Sequence, residues 1–203
     1  MSSVFDPVSQ HADVDAKIVA ALERLGQVLR MRLREKAREY GLSPIQAQFL
    51  VYLLYHAVEF RRVSQLAREF DLTRATVSEA VASVEEKGFI EREPWPEDGR
   101  VMTLRLTPEG EVVAAELSSW ADTIKEQLDF EEKEVVMRSL MRLIGSLQES
   151  GVITVARMCV TCRFFQRDAH PRSGSPHHCR LLDVPLGGSD LRIDCPEHEL
   201  ARG

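Results

Sequence analysis

Hydrophobic residues recur every three or four positions over long stretches of this chain, and that spacing predicts amphipathic helices. The first stretch covers residues 14–40 and ends before Gly41. Its apolar face is formed by Ile18, Leu22, Leu25, Leu29 and Leu33. A second helix is predicted from Ser43-Pro44, because proline fits the first position of a helix. Its sequence, IQAQFLVYLLYHA, is apolar on most faces, so we expect it to be largely buried.

Two shorter helices are predicted between residues 61 and 88, joined by the turn FDL. The apolar residues of the first are Val63, Leu66, Ala67 and Phe70. Thr73 caps the second and Gly88 ends it. The inner stripe of this second helix is Val77, Ala80, Val81 and Val84. Two extended segments follow, FIERE and VMTLRLT, and the sequence PWPEDGR between them predicts a hairpin loop. Helix, turn, capped helix and hairpin in this order predict a winged helix-turn-helix.

Helical periodicity returns after the hairpin. Thr107-Pro108-Glu109 begins an amphipathic stretch that reaches about Leu128, and a last helix covers residues 131–148. The residues of this last helix expected to point inward are Val135, Leu140, Leu143 and Leu147. Beyond Gly151 the helical periodicity stops. The pattern therefore predicts a mainly α (α+β) fold followed by a small C-terminal module.

Composition and charge narrow the functional classes. The 203 residues are 44% hydrophobic and 29% charged, as in folded globular proteins. The sequence has neither an apolar run long enough to span a bilayer nor the features of a signal peptide, so we expect a cytoplasmic protein without a membrane partner. A net charge of -6 excludes a uniformly basic nucleic-acid-binding surface. We see no nucleophile–base pair, phosphate loop or paired carboxylates, so an enzyme is not expected.

The segment LTRATVSEAVASVEEKGFIERE and the following EDGRVMTLRLTPEG resemble the MarR family of winged-helix transcriptional regulators. The resemblance extends over residues 15–148. It implies a homodimer joined through its first and last helices, here residues 14–40 and 131–148. It also implies binding to a pseudo-palindromic operator in double-stranded DNA, and we expect a repressor. A small phenolic or aromatic effector is compatible with the same resemblance.

Helical periodicity identifies candidate DNA contacts on the second helix of the motif. With Val77 inward, the outward residues are Ala75, Ser78, Glu79 and Ala82. Glu79 could accept a hydrogen bond from a cytosine amine, and the alanine methyl groups could pack on thymine methyls. The residues placed to meet phosphate at the helix N-terminus are Thr73, Arg74 and Thr76. A solvated Glu79 without a role in DNA binding is the alternative.

The hairpin loop supplies one further candidate, Arg100, as a cation inserted into a neighbouring groove. The family resemblance implies the same role, whereas an ion pair with Asp98 is the alternative. Residues 61–105 hold eight Arg or Lys and nine Asp or Glu. DNA affinity would therefore depend on the arrangement of the arginines and on dimeric binding rather than on bulk charge.

All four cysteines lie in the last 45 residues, at Cys159, Cys162, Cys179 and Cys195. Clustered cysteines in a chain without a secretion signal indicate metal binding or redox chemistry rather than a disulfide framework. Four thiolates suit zinc or an iron–sulfur cluster. Structural zinc sites most often use two close pairs, but here 15 residues separate the last two cysteines. That separation weakens the zinc interpretation.

The same pattern resembles the cluster-binding segment of high-potential iron–sulfur proteins, in which CxxC and an aromatic residue precede two lone cysteines. The matching pieces are Cys162-Arg-Phe164-Phe165, Cys179-Arg-Leu181-Leu182 and Cys195-Pro196. The resemblance implies a [4Fe-4S] cluster, while zinc and a metal-free thiol switch stay open. His177, His178 and His198 lie beside cysteines, so a Cys3His site is open as well, although an exposed loop position is the simpler interpretation of each histidine.

Together these patterns predict a flexible N-terminus at 1–13, a winged-helix DNA-binding and dimerisation domain at 14–150 and a metal-binding module at 151–203. We expect a regulator whose operator affinity responds, through the cluster, to redox state, oxygen, nitric oxide or iron. Because the module directly follows the last helix, changes in the module could alter the spacing of the two recognition helices. In the alternative the metal is a structural zinc and a small aromatic ligand is the effector. An electron-transfer module with a winged helix for protein contacts is the hypothesis from another class.

Overall fold

The computed structural model describes residues 3–95, 98–119 and 127–201. The helices are α1 Pro7–Ala12, α2 Val14–Glu39, α3 Pro44–Tyr55, α4 Val63–Glu69, α5 Arg74–Glu86, α6 Pro108–Ser118 and α7 Phe130–Glu149. The strands are β1 Ile90–Trp95, β2 Asp98–Leu106, β3 Phe165–Gln166, β4 His177–Cys179 and β5 Val184–Leu186. Strands β1 and β2 pair with each other, and β3, β4 and β5 form a separate sheet in that order.

Side-chain caps explain where three of the helices begin. The Asp13 carboxylate accepts a hydrogen bond from the backbone of Asp15 at the start of α2, and Thr107 accepts one from Gly110 at the start of α6. Helix α7 begins with a reciprocal capping box between Asp129 and Glu132. Each cap satisfies backbone N–H groups that have no partner within the helix.

The chain divides into two compact units. The first contains the described residues of 1–55, 79–93 and 105–121. Its core lies between α3 and α6, where the fully buried side chains include Phe49, Leu50, Leu53, Ala114 and Leu117. The predicted burial of α3 is confirmed, and so is the inner stripe of α5, since Val77, Val81 and Val84 are fully buried.

The second unit contains the described residues of 56–78, 94–104 and 122–203. Its core joins α7 to the cysteine module of the same chain, and the buried members are Met141, Ala156, Met158, Leu186 and Leu191. In the module, antiparallel pairing aligns Phe165 with Cys179 and Cys179 with Val184. The unit therefore brings α4, the first turn of α5 and the outer part of the β1–β2 hairpin together with the cysteines, a grouping that does not follow a boundary at residue 150.

Several details differ from the expectation. Val135, Leu143 and Leu147 of α7 are 53%, 45% and 42% exposed, so the prediction that they point inward is wrong for the single chain. The buried residues of α7 are instead Met141 and Gly145. An amphipathic pattern identifies an apolar stripe but not what covers it, and here the stripe faces away from the chain's own core.

The ends of the chain elements also differ. Strands β1 and β2 extend through Trp95 and from Asp98, so the hairpin loop is shorter than PWPEDGR, and its residues 96–97 lie outside the described residues. Helix α6 ends at Ser118, and the predicted continuation of that helix falls mostly on residues 120–126, which are also outside the description. Part of the stretch predicted to be a flexible N-terminus forms α1. None of the described helices combines the length and the apolar character of a membrane-crossing segment.

Candidate DNA-binding surface and four-cysteine cavity

Helices α4 and α5 are joined by a tight turn that sets the direction of α5. Asp71 has a φ of 50° in this turn, a left-handed conformation that aspartate tolerates better than most residues. The backbone N–H of Leu72 then donates to the carbonyl of Ala67 at 2.9 Å. Thr73 caps α5, because its hydroxyl accepts a hydrogen bond from the backbone N–H of Thr76 at 3.2 Å. The predicted capping role of Thr73 is confirmed.

The candidate DNA contacts of α5 lie on the face opposite its buried valines. The exposed candidates are Thr73, Arg74, Ala75, Thr76, Ser78 and Glu79, and Ala82 is half-buried. Val77, on the opposite face, has no exposed surface. The geometry expected of a recognition helix is therefore present, and contact with DNA stays a prediction for each of these residues.

In the hairpin, Arg100 and Arg105 have different surroundings. The Asp98 carboxylate accepts a hydrogen bond from the backbone N–H of Arg100 at 3.1 Å, and no carboxylate of the described residues pairs with the Arg100 guanidinium. Arg105 instead pairs with Glu91 and with Glu93, the latter at 3.2 Å. The proposed Arg100–Asp98 ion pair is thus replaced by a backbone contact, which leaves the Arg100 side chain exposed.

The four cysteines line a single cavity with about 360 Å³ of empty space, part of it open to solvent. Cys159 and Cys162 flank a 3-10 turn, Cys179 ends β4, and Cys195 follows from the last loop. The other residues lining the cavity are Phe164, Phe165, Leu181, Leu182, Leu186 and Glu197. All four cysteines are free thiols in the structure. The sequence-predicted metal ligands are therefore brought together in largely apolar surroundings.

Hydrogen-bond donors surround two of the sulfur atoms. The backbone N–H of Arg192 donates to the Sγ atom of Cys159 at 3.2 Å, and the Arg192 guanidinium lies 3.8 Å from the Sγ atom of Cys195. Cys195 Sγ also lies 3.4 Å from the Glu197 carboxylate. Burial raises the pKa values of the Cys159 and Cys195 thiols. A metal bound here would have to displace thiol protons, which couples metal binding to proton release.

None of the three histidines considered as ligands lines the cavity. His198 Nε2 lies 3.0 Å from the Thr161 hydroxyl, and burial lowers the pKa of this histidine. His177 and His178 lie beside Asp168 and Asp183, at 3.5 and 3.2 Å. These placements give no support to a Cys3His site.

A polar cluster next to Cys195 has no counterpart among the sequence-based candidates. Arg157 Nε lies 2.6 Å from Asp194 Oδ1, and His56 Nε2 lies 2.5 Å from Asp194 Oδ2. The hydrogen bond from His56, followed by that from Arg157, holds the pKa of Asp194 well below its usual range. His56 and Asp194 are 138 positions apart, so no local pattern could have revealed the cluster.

Comparison with known proteins agrees with the architecture. Residues 40–101 match the MarR family model, a segment that does not include the cysteine module. The chain is 30% identical over 96 residues to the uncharacterised HTH-type transcriptional regulator YdgJ of Bacillus subtilis, which covers 47% of this chain and 56% of the relative. It is 32% identical over 79 residues to the HTH-type transcriptional regulator BilQ of Clostridioides difficile, covering 36% of this chain and 53% of that relative. The chain thus spans little more than half the length of these curated relatives.

Among solved structures, MepR of S. aureus in its DNA-binding conformation superposes with a TM-score of 0.57 at 24% identity. That comparison covers 64% of this chain and 98% of MepR. At this identity the likeness establishes the fold. The predicted winged helix-turn-helix is thus confirmed, and the chain has the winged-helix fold of MarR-family transcriptional regulators, with a segment at residues 40–101 that matches the family itself.

Proposed function

We propose that this protein is a homodimeric transcriptional repressor of the cytoplasm that binds a pseudo-palindromic operator and is controlled by a [4Fe-4S] cluster. The cluster would be bound by Cys159, Cys162, Cys179 and Cys195. The observation that carries the proposal is that these four thiols line one largely apolar cavity, in a chain that also has a winged-helix fold.

The arrangement of the thiols favours a cluster over a single zinc ion. Tetrahedral zinc with Zn–S bonds of about 2.3 Å requires its sulfur ligands to lie about 3.8 Å apart. In the part of the chain that the structure describes, no three Cys, His, Asp or Glu side chains form a group able to hold one metal ion. A cubane cluster places each thiolate on a different iron, so its ligands can lie farther apart around a larger volume.

The surface features support DNA binding by a dimer. The exposed face of α5 and the unpaired guanidinium of Arg100 are suited to a major groove and to a neighbouring groove, respectively. Helices α2 and α7 each carry exposed apolar residues, which include Ile18, Leu22, Leu25, Leu143 and Leu147. Such apolar stripes are typical of surfaces covered by a partner. A two-fold dimer would read two related half-sites, which accounts for a pseudo-palindromic operator.

The residues of the module have separable roles in the proposed site. The four thiolates bind the cluster, and Phe164, Phe165 and the leucines limit the access of water. The backbone N–H of Arg192 stabilises negative charge on Cys159. When bound, the cluster supplies a centre that responds to redox state, oxygen, nitric oxide or iron supply. A change in that centre alters operator affinity through the contacts between the module and the rest of the second unit.

The metal assignment is tested by anaerobic purification, followed by a visible spectrum and the iron, sulfide and zinc content per chain. We expect a brown protein with iron and sulfide in equal amounts, and loss of both in Cys162→Ser. His198→Gln is the matched control and should keep the cluster, because His198 lies outside the cavity. A colourless protein with one zinc per chain would overturn the cluster and support the alternative, a structural zinc with a small aromatic effector.

The DNA-binding role is tested on a duplex selected by the wild-type protein from a random-sequence library. Arg100→Ala should weaken binding by about 1–3 kcal/mol, measured by fluorescence anisotropy. Arg105→Ala is the matched control in the same strand and should change affinity little, because its guanidinium is already paired with Glu91 and Glu93. Equal effects of the two substitutions, or no selected duplex at all, would contradict the proposed role of the hairpin.

A further inference from the structure

The side chain of Arg157 joins the cysteine module to the first helix of the helix-turn-helix. Its Nη1 atom lies 2.9 Å from Glu69 Oε2, at the last residue of α4, and only 14% of the Arg157 side chain is exposed. Its guanidinium also lies over the ring of Phe60, 5.2 Å from the centroid, just before α4. The hydroxyl of Thr154 donates to the carbonyl of Arg68 at 3.1 Å. Two residues that lead into the module therefore contact the C-terminal turn of α4.

The same arginine is connected to the proposed metal ligands by the shortest possible route. Its Nε and Nη2 atoms donate to both oxygens of Asp194, at 2.6 and 3.3 Å, and Asp194 directly precedes Cys195. The backbone N–H of Cys195 donates to the carbonyl of Arg157 at 2.9 Å. Any movement of Cys195 must therefore displace the carboxylate that holds Arg157.

Asp194 makes a second contact outside the module. Its Oδ2 atom lies 2.5 Å from His56 Nε2, just before the 3-10 turn that leads to α4. Arg157, Asp194, Glu69 and His56 thus form one network, which we call the polar latch. All four belong to the second compact unit, together with α4, the first turn of α5 and the cysteines.

We propose that Arg157 is the positioning residue that transmits the state of the cysteine site to the DNA-reading helix, by clamping the end of α4 to the segment that carries Cys195. The inference rests on the proposed function and adds the route of its regulation. With the four thiols held around a centre, Asp194 stays in place and Arg157 holds Glu69. When the centre is lost, the segment around Cys195 is released, and α4 and the turn into α5 lose this restraint.

Energetics favour a transmission role for the latch over a purely local one. A half-buried arginine that bridges two carboxylates is held in one geometry by charge-assisted hydrogen bonds. Removal of one member leaves the others partly desolvated and unpaired, which makes the two arrangements distinct rather than continuous. A network of this kind can couple two sites, provided that both bias its state.

The test compares the DNA affinity of metal-loaded and chelated full-length protein, with the selected duplex as probe. For the wild type we expect the two affinities to differ by a factor of roughly 5–150. Arg157→Met keeps the aliphatic stem but removes the charge, so the ratio should fall towards one while metal content is kept. Glu69→Gln breaks the same ion pair from the α4 side without changing the module, and it should lower the ratio in the same way.

Arg163→Met provides the matched control. Arg163 also combines an ion pair, 2.9 Å to Glu199, with a stacked ring, 4.7 Å from the Phe164 centroid, but both partners lie within the module. This variant should keep the wild-type ratio. A second readout is hydrogen exchange of the peptide covering α4, which should differ between loaded and chelated protein in the wild type and in Arg163→Met but not in Arg157→Met.

The outcomes separate the two proposals. A wild-type protein that binds no metal, or whose DNA affinity is unaffected by chelation, overturns the proposed function and the latch with it. A wild-type ratio that persists in both Arg157→Met and Glu69→Gln, with metal content unchanged, overturns the latch alone. A ratio lost equally in Arg163→Met shows a general weakening of the module and also overturns the latch.

Discussion

At Gly110 the first turn of α6 comes so close to the chain before β1 that no side chain fits. A Cβ atom at this position would collide with the carbonyl oxygen of Phe89. The turn cannot move away easily, because the Thr107 hydroxyl donates to Gly88 at 2.6 Å and the Thr107 backbone donates to Phe89 at 3.1 Å. The glycine of the TPEG sequence is thus required by packing rather than by backbone conformation.

Replacement of Gly110 by alanine is therefore expected to destabilise the protein. Helix propensity alone would favour alanine by about 1 kcal/mol. The collision opposes this, and overpacking of this kind costs about 1–3 kcal/mol, more where backbone must move. We expect a net loss of stability in urea denaturation, whereas Gly99→Ala should have little effect, since nothing lies within 4 Å of a Cβ atom there. A more stable Gly110→Ala variant would contradict this packing.

A second prediction at the scale of one residue concerns Arg192 and the proposed cluster. The guanidinium lies 3.8 Å from Cys195 Sγ, and a positive donor near a thiolate favours the more negative, reduced state of a cluster. Arg192→Met should therefore lower the reduction potential, as measured by redox titration of the visible spectrum. Arg172→Met, a change in an exposed loop, should leave the potential unchanged. A raised potential in Arg192→Met would show that the guanidinium does not act on the cluster in this way.

At the scale of elements, the helices of the winged helix were predictable because each carries its own local signals. The caps Thr73 and Thr107 and the valine stripe of α5 are encoded within a few residues, and the structure contains them as expected. The strands of the cysteine module are two or three residues long, too short for any periodicity to appear. Trp95 was assigned to the loop because it stands between two prolines, although a two-stranded hairpin tolerates proline at its edge.

The candidate site divides in the same way. The outward face of α5 follows from helical geometry, and the four cysteines follow from their clustering. The polar latch does not, because Arg157 and Glu69 are ordinary surface residue types whose contact depends on how the module packs. Periodicity also misassigned Leu143, since it identifies an apolar stripe whether the covering surface belongs to the same chain or to another.

The exposed stripe of α7 leads to a prediction about assembly. Leu143 is 45% exposed in the single chain, so Leu143→Glu should not disturb the protomer, but it would place a charge in the proposed dimer interface. We expect the dimer dissociation constant to rise by about 100-fold, near 3 kcal/mol. Light scattering over a concentration series measures this change. Val112→Glu, at a residue of α6 that is 59% exposed, is the control and should stay dimeric; dissociation of both variants would argue against an interface specific to α7.

At the scale of the whole molecule, the second compact unit has a small core for the number of residues that it holds together. The cluster of buried residues that joins the module to α7 has five members, and the module's strands are short. Segments of this size usually need a metal or another crosslink to hold their shape. The first unit has a larger buried set around α3 and α6, which does not involve the cysteines.

Metal removal is therefore expected to act on the two units unequally. After anaerobic chelation, hydrogen exchange should increase by an order of magnitude or more in peptides covering 157–198, because small apolar cores alone give little protection. Exchange in the peptide covering α3, whose residues Phe49, Leu50 and Leu53 are fully buried in the other unit, should not change. Chelation of Cys162→Ser should add nothing to the exchange already seen in that variant. A uniform increase along the chain would mean that the metal supports the entire fold, and no increase would mean that the module is stable through its own packing.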